Sequence, residues 1–217
     1  LYRAHASHPM QMPKGSAITK TEAADAIYVI SRISGEGADR KAEPGDYYLS
    51  EQEEEELKAI TECYDNTIVI LNVGGVMDVS FLEKYNIAAL VMLSQAGMEG
   101  GNALADVLSG AVTPSGKLTD TWGCHYEDYP SSATFSHNNG NIIEEKYYEG
   151  IYVGYRYFDS FEVEPRYPFG YGMSYTTFDV ATENAAWKPD AESKTITVTV
   201  KVTNTGSCAG KEVVQIY

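Results

Sequence analysis

The chain has 217 residues, 43% of them apolar, and a formal net charge of −15 set by 16 basic and 31 acidic side chains. That balance argues against nucleic acid as a partner and against an anionic membrane surface, since both need a basic footprint, and no run approaches the 18 or so apolar residues of a membrane span. The three cysteines, Cys63, Cys124 and Cys208, are far apart and include no C-x-x-C pair, so no disulfide framework is expected and a reducing, cytoplasmic compartment is favoured.

Leu1 is followed by no charged and apolar signal segment, and Val213-Val214-Gln215-Ile216-Tyr217 has strand character. The chain is therefore expected to be a piece of a longer polypeptide. Residues 1–19, with Pro9, Pro13 and Gly15, read as a connecting segment. Ala26-Ile27-Tyr28-Val29-Ile30 is a short continuous apolar run, the pattern of a strand buried on both faces. A loop from Ser31 to Tyr48 follows. Ser50-Glu51-Gln52-Glu53 then reads as a capping box that opens a helix running through Leu57, Ile60 and Cys63, and its acidic first turns suit the positive end of the helix dipole.

Thr67 to Asn72 is a second buried run. Val79, Phe81, Leu82 and Tyr85 predict a short helix, Ala88 to Leu93 is a third buried run, and Asn102 to Leu108 has helical spacing. Alternating strands and helices predict an α/β fold, a mostly parallel sheet sandwiched by helices. Residues 117–177 carry ten of the 17 tyrosines, Trp122 and four phenylalanines with little periodicity, and read as an aromatic tie packed over neighbouring surfaces. Ile196, Val198, Val200 and Val202 alternate with polar residues, the period of a half-buried antiparallel strand. Asn204-Thr205-Gly206 reads as a turn and Glu212 to Tyr217 as a further strand. An immunoglobulin-like sandwich needs about 100 residues, so this one is incomplete. The expected divisions are 1–122 for the α/β domain, incomplete at its start, 123–177 for the tie, and 178–217 for the incomplete sandwich.

Chemistry concentrates after the first strand, in Ser34-Gly35-Glu36-Gly37-Ala38-Asp39-Arg40. Ligands of parallel sheets bind outside the carboxyl ends of strands, and a partly desolvated Glu36 could serve there as a general acid. On position alone, a solvated loop glutamate is the commoner meaning. Asp39 is not assigned as a second catalytic carboxylate, because an ion pair with the adjoining Arg40 is expected. Gly97-Met98-Glu99-Gly100-Gly101 lacks phosphate-loop spacing and reads as a tight turn. Cys124-His125 has no companion cluster at zinc spacing. Glu144, Glu145 and Glu149 flank Tyr147 and Tyr148. Such groups can make a sugar platform, although packing rings and solvated charges are commoner.

Several separate motifs resemble glycoside hydrolase family 3, and its β-glucosidases most of all. They are Ala26–Ile30 running into Ile33-Ser34-Gly35-Glu36-Gly37-Ala38-Asp39-Arg40, Pro114-Ser115-Gly116-Lys117-Leu118, Glu149-Gly150-Ile151-Tyr152-Val153-Gly154-Tyr155-Arg156-Tyr157-Phe158-Asp159 and Tyr167-Pro168-Phe169-Gly170-Tyr171-Gly172-Met173-Ser174-Tyr175-Thr176-Thr177-Phe178. Val202–Gly206 with Ala209–Val213 resembles the start of the family's fibronectin type III-like domain.

The resemblance reverses the balance at Glu36. It implies that Glu36 is the catalytic acid/base of a retaining, exo-acting β-glucosidase, with Asp39 and Arg40 shaping its loop. It implies a nucleophilic aspartate on a (β/α)₈ barrel domain, which this chain lacks, so the chain alone is expected to be inactive. Partners would be β-glucosides or oligosaccharides and that barrel. No metal and no organic cofactor is implied, substrate-binding residues are unassigned, and oligomerisation is left open. The alternatives are a β-xylosidase of the same family, a non-catalytic carbohydrate-binding or scaffolding module, and a nucleotide-binding α/β domain, the last weakened by the missing phosphate loop.

Overall fold

The structure is a computed structural model that describes residues 22–33, 39–189 and 194–217. It divides into two compact units. The first takes its described residues from the stretch up to Gly101 and from Asp120–Pro168, and the second consists of Asn102–Thr119 and Phe169–Tyr217.

The first unit is built on three parallel strands in sequence order: β1 (Asp25–Ser31), β2 (Asn66–Asn72) and β3 (Ala89–Met92). Ile27 lies opposite Ile68, and Ile70 opposite Val91. Helix α1 (Glu51–Cys63) joins β1 to β2 and packs on both, and the short α2 (Phe81–Lys84) joins β2 to β3. The core sits between α1 and the sheet, where Ile30, Leu57, Val69 and Leu71 are buried. β2 is the central strand and is buried almost throughout. β1 departs from the expectation of burial on both faces. Successive strand side chains face opposite ways, so Tyr28 and Ile30 are buried on one face while Ile27, on the other, stays 55% exposed. Tyr28 belongs to the α1 side, where its hydroxyl donates to Glu56 Oε2 at 2.6 Å.

Helix α1 starts where its sequence predicts. Ser50 Oγ accepts from the backbone N–H of Glu53, and Glu53 Oε2 accepts from the N–H of Ser50, so two otherwise unpaired donors are satisfied reciprocally. Ser50→Ala removes one of these bonds. The expected cost is about 1 kcal/mol of unfolding free energy, the typical value of a lost cap, read from chemical denaturation against the parent.

The aromatic stretch contains more regular structure than its weak periodicity predicts. β4 (Trp122–Gly123) pairs antiparallel with β5 (Pro165–Tyr167), and a one-and-a-half-turn helix, α4 (Tyr155–Ser160), lies between them in sequence. Trp122 and Phe158 are 3% and 2% exposed, and Phe158 meets Tyr129 edge to face at 5.9 Å. Edge contacts of this kind add to the area that the rings bury.

Helix α3 (Gly100–Leu108) starts in the first unit and runs into the second. The second unit carries a long two-stranded antiparallel ribbon, β6 (Phe178–Pro189) and β7 (Lys194–Asn204), with a register shift between Thr182 and Asn184. The half-buried pattern expected of β7 is realised only in its middle: Val198 and Val200 are half-buried between exposed Thr197, Thr199 and Lys201, whereas Ile196 and Val202 are 61% and 42% exposed. A two-stranded ribbon has no second layer to cover its apolar face. Nor do Glu212–Tyr217 form the expected strand. Side-chain contacts engage this stretch, with Glu212 paired to Lys117 at 3.1 Å and the Tyr217 ring edge-on to Phe169. Among the described residues no helix is long and apolar enough to cross a membrane.

Candidate active site

Glu36 and its neighbours 34–38 lie outside the described residues. Both flanks of that stretch are described, and they are built around two arginines. Arg32 follows β1 directly and is 6% exposed. Its Nη1 and Nη2 donate to the two carboxylate oxygens of Glu53 at 2.7 and 2.9 Å, its Nε donates to the Asp46 carbonyl at 2.7 Å, and further bonds reach the carbonyls of Ser31 and Tyr48. A guanidinium this deep needs every donor occupied, and the bidentate carboxylate supplies the counter-charge. The Arg32 carbonyl in turn accepts from Gln95 Nε2 at 2.8 Å.

Arg40 stands on the far flank. Its Nε donates to Asp46 Oδ1, its Nη2 to the Asp46 carbonyl and its Nη1 to the Val76 carbonyl, each at 2.7 Å. The expected pair between Asp39 and Arg40 is therefore replaced by one between Arg40 and Asp46. The reason is local. Asp46 offers a carboxylate and a carbonyl together to one planar fork, which its immediate neighbour Asp39 cannot match, and the Val76 carbonyl takes the remaining nitrogen. The turn that presents Asp46 is Glu43-Pro44-Gly45-Asp46. Gly45 sits at φ +86, a conformation that favours glycine, and its N–H donates to the Tyr48 carbonyl.

A cavity of about 410 Å³ opens beside this flank. Asp39, Arg40 and Lys41 line it from the loop after β1, Gly75 and Val76 from the loop after β2, and Tyr47, Tyr126, Tyr129, Ser131, Ser132 and Phe135 complete it. It therefore lies past the carboxyl ends of two parallel strands, where such sheets bind ligands. Burial pushes the Tyr47 and Tyr129 phenols up from their ordinary value, so both remain protonated hydroxyls across the neutral range. Tyr129 also accepts from the Gly123 N–H at 2.8 Å. Phe135, 42% exposed, is an open aromatic face beside these hydroxyls. Aromatic faces and hydroxyls beside one carboxylate and two cationic side chains suit a polar ligand that can stack on a ring and accept and donate hydrogen bonds.

The other sequence candidates take structural places. Gly97–Gly101 is a tight turn in which Gly100 donates to the Gly97 carbonyl, and a Cβ on Gly100 would fall 2.7 Å from that of Ala96. Cys124 directs its thiol at the Glu164 carbonyl, and the His125 N–H donates to the Asp128 carboxylate. Glu144 pairs with Lys146, and Tyr147 and Tyr148 stand 83% and 73% exposed, so neither ring packs within the described chain. In the second unit two of the singled-out motifs meet. Gly170 donates to the Leu118 carbonyl, Leu118 donates to the Tyr171 carbonyl, and a Cβ at Gly172 would fall 2.5 Å from the Gly116 carbonyl oxygen. Lys117 Nζ caps this contact on the Gly172 carbonyl at 2.7 Å.

Arg32 and Asp46 are the residues of this site that sequence reading missed. Each lies in a stretch that reads as plain loop. The available signal was a Pro-Gly-Asp turn following two arginines that bracket a Gly-Glu-Gly.

A parallel α/β sheet with a cavity past its strand ends defines an α/β domain of the ligand-binding kind. The chain belongs to glycosyl hydrolase family 3: residues 11–175 match its C-terminal domain. It is 40% identical over 211 residues to a β-glucosidase of Ruminococcus albus, covering 95% of this chain and 21% of that protein. It is 40% identical to β-glucosidase A of Butyrivibrio fibrisolvens, covering 88% of this chain and 27% of that one. Among solved structures, β-glucosidase 3B of Thermotoga neapolitana in complex with glucose superposes with a TM-score of 0.77 at 42% identity, over 86% of this chain and 26% of that one. The chain thus spans about a fifth to a quarter of the length of these relatives, which carry further domains.

Proposed function

We propose that the chain is the acid/base-bearing part of a retaining, exo-acting β-glucosidase, with Glu36 as the general acid and base. The observation that carries this reading is the cavity past the ends of β1 and β2, lined by Asp39–Lys41, which follow the Gly35-Glu36-Gly37 stretch after Ala38. The β-glucosidase names of the relatives support it. A (β/α)₈ barrel elsewhere in the polypeptide supplies the nucleophilic aspartate. The share of the relatives' length outside this chain leaves room for the barrel, which needs about 250 residues. Ile142, Ile143 and Ile151, 80%, 93% and 71% exposed, are apolar surface of the kind that a neighbouring domain covers.

In the first step the aspartate attacks the anomeric carbon while the carboxylic acid of Glu36 gives its proton to the departing glycosidic oxygen. In the second, the Glu36 carboxylate takes a proton from water, whose oxygen attacks the same carbon and frees the aspartate. No step calls for a metal or organic cofactor.

The test is hydrolysis of paired aryl β-glucosides and β-xylosides by the complete protein and by the isolated 217 residues. The complete protein is expected to favour the glucoside, and the isolated chain to turn over neither. A preference for the xyloside makes it a β-xylosidase. No hydrolysis of either substrate by the folded complete protein makes it a non-catalytic module.

A further inference from the structure

Glu36 is flanked by the two arginines already described, and they converge on one atom. Arg32 Nε and Arg40 Nη2 both donate to the carbonyl oxygen of Asp46, each at 2.7 Å. The Asp46 side chain continues the convergence, with Oδ1 on Arg40 Nε at 2.7 Å and Oδ2 on the backbone N–H of Lys41 at 2.6 Å. One residue therefore holds both stems of the stretch that carries Glu36, four residues after Arg32 and four before Arg40. The two anchors are tied in turn to the sheet and to α1. Arg32 donates its N–H to the Asn72 carbonyl at the end of β2 and its guanidinium to Glu53, and Arg40 reaches the Val76 carbonyl.

From this we infer that the Asp46 carboxylate positions the Glu36 acid/base by holding Arg40 and the Lys41 amide of the second stem, while its backbone carbonyl joins that stem to Arg32. The inference rests on the assignment of Glu36 made above. The chemistry demands such a device. A general acid works only within hydrogen-bond reach of the glycosidic oxygen, and a misplacement of about 1 Å can cost on the order of 10²-fold. The stems on either side of Gly35-Glu36-Gly37 are where the described chain can anchor it. Charge-assisted bonds to a half-buried Asp46 provide that anchor, since the Arg40 and Asp46 side chains are 19% and 26% exposed. Asp46 itself touches no substrate in this role, and a purely structural loss would affect all substrates alike.

The test uses Asp46→Ala and the milder Arg40→Lys in the complete enzyme, each beside Glu36→Gln. The readout is kcat/KM on two substrates: cellobiose, whose leaving sugar needs a proton, and 2,4-dinitrophenyl β-glucoside, whose leaving phenolate does not. Asp46→Ala is expected to lower kcat/KM for cellobiose about 30-fold, a part of the 10²–10⁴ that a well-placed general acid supplies. The dinitrophenyl substrate should lose less than about threefold, with KM unchanged within the same factor. Arg40→Lys keeps the charge but not the fork and should show the same selective loss at smaller size.

Equal losses on the two substrates, or no loss in a folded Asp46→Ala enzyme, overturn the positioning role. If Asp46→Ala does not fold, Arg40→Lys decides by the same ratio. If Glu36→Gln shows no leaving-group selectivity, the Glu36 assignment fails and the role of Asp46 falls with it. If Glu36→Gln is selective and the flank variants are not, only the positioning role is lost.

Discussion

Glu36→Gln in the complete enzyme will lower hydrolysis of cellobiose by about three orders of magnitude, within the range that removal of a general acid gives. The amide has no proton of useful acidity, so a sugar alkoxide would have to leave unprotonated. With 2,4-dinitrophenyl β-glucoside the glycosylation step should lose less than about tenfold, because a phenolate of low basicity leaves without help. Deglycosylation then becomes limiting, since no base remains to activate water. The glycosyl-enzyme accumulates, visible as a burst of dinitrophenolate. Azide needs no deprotonation and should restore turnover with β-glucosyl azide as the product. A uniform loss on the two substrates, or no azide product, would remove Glu36 from the acid/base role. The expectation rests on the resemblance of residues 33–40 and on the cavity beside Asp39–Lys41.

The sheet of this protein was legible because its signals are local. Ala26–Ile30, Thr67–Asn72 and Ala88–Leu93 are short apolar runs that become β1, β2 and β3, and the Ser50–Glu53 capping box places the start of α1. A run of apolar residues does not say which face a helix will cover, so the half-open state of β1 at Ile27 was not legible. The flank of Glu36 was misread for a related reason. A salt bridge between sequence neighbours is the simplest guess for Asp39-Arg40, yet the partner is Asp46, brought close by a turn whose glycine adopts φ +86. Long-range convergence onto one carbonyl leaves no periodic trace in a sequence. The exposed faces of β6 and β7 follow from the same limit: alternation predicts a face to be covered, not the layer that covers it.

Glu53→Ala is the substitution expected to cost the described fold most. Glu53 closes the α1 capping box on the Ser50 N–H, and the same carboxylate neutralises Arg32 through two bonds, with the two side chains only 3% and 16% exposed. Truncating it leaves a buried guanidinium with carbonyl partners and no counter-charge. Breaking a buried pair from one side costs about 3–5 kcal/mol, and the missing cap adds to that. For a chain of this size the result is a fall on the order of 10 °C in the thermal transition. Glu53→Gln keeps one acceptor and should cost less than the alanine. Replacing Arg32 and Glu53 together by apolar residues should not restore parent stability, because the carbonyls of Ser31, Asp46 and Tyr48 would lose the donors they now share. Calorimetry of the single and double variants decides the matter. A shift below about 2 °C for Glu53→Ala, which corresponds to less than about 1 kcal/mol, would mean that water screens the pair, and the rigid flank attributed to Arg32 would lose its footing.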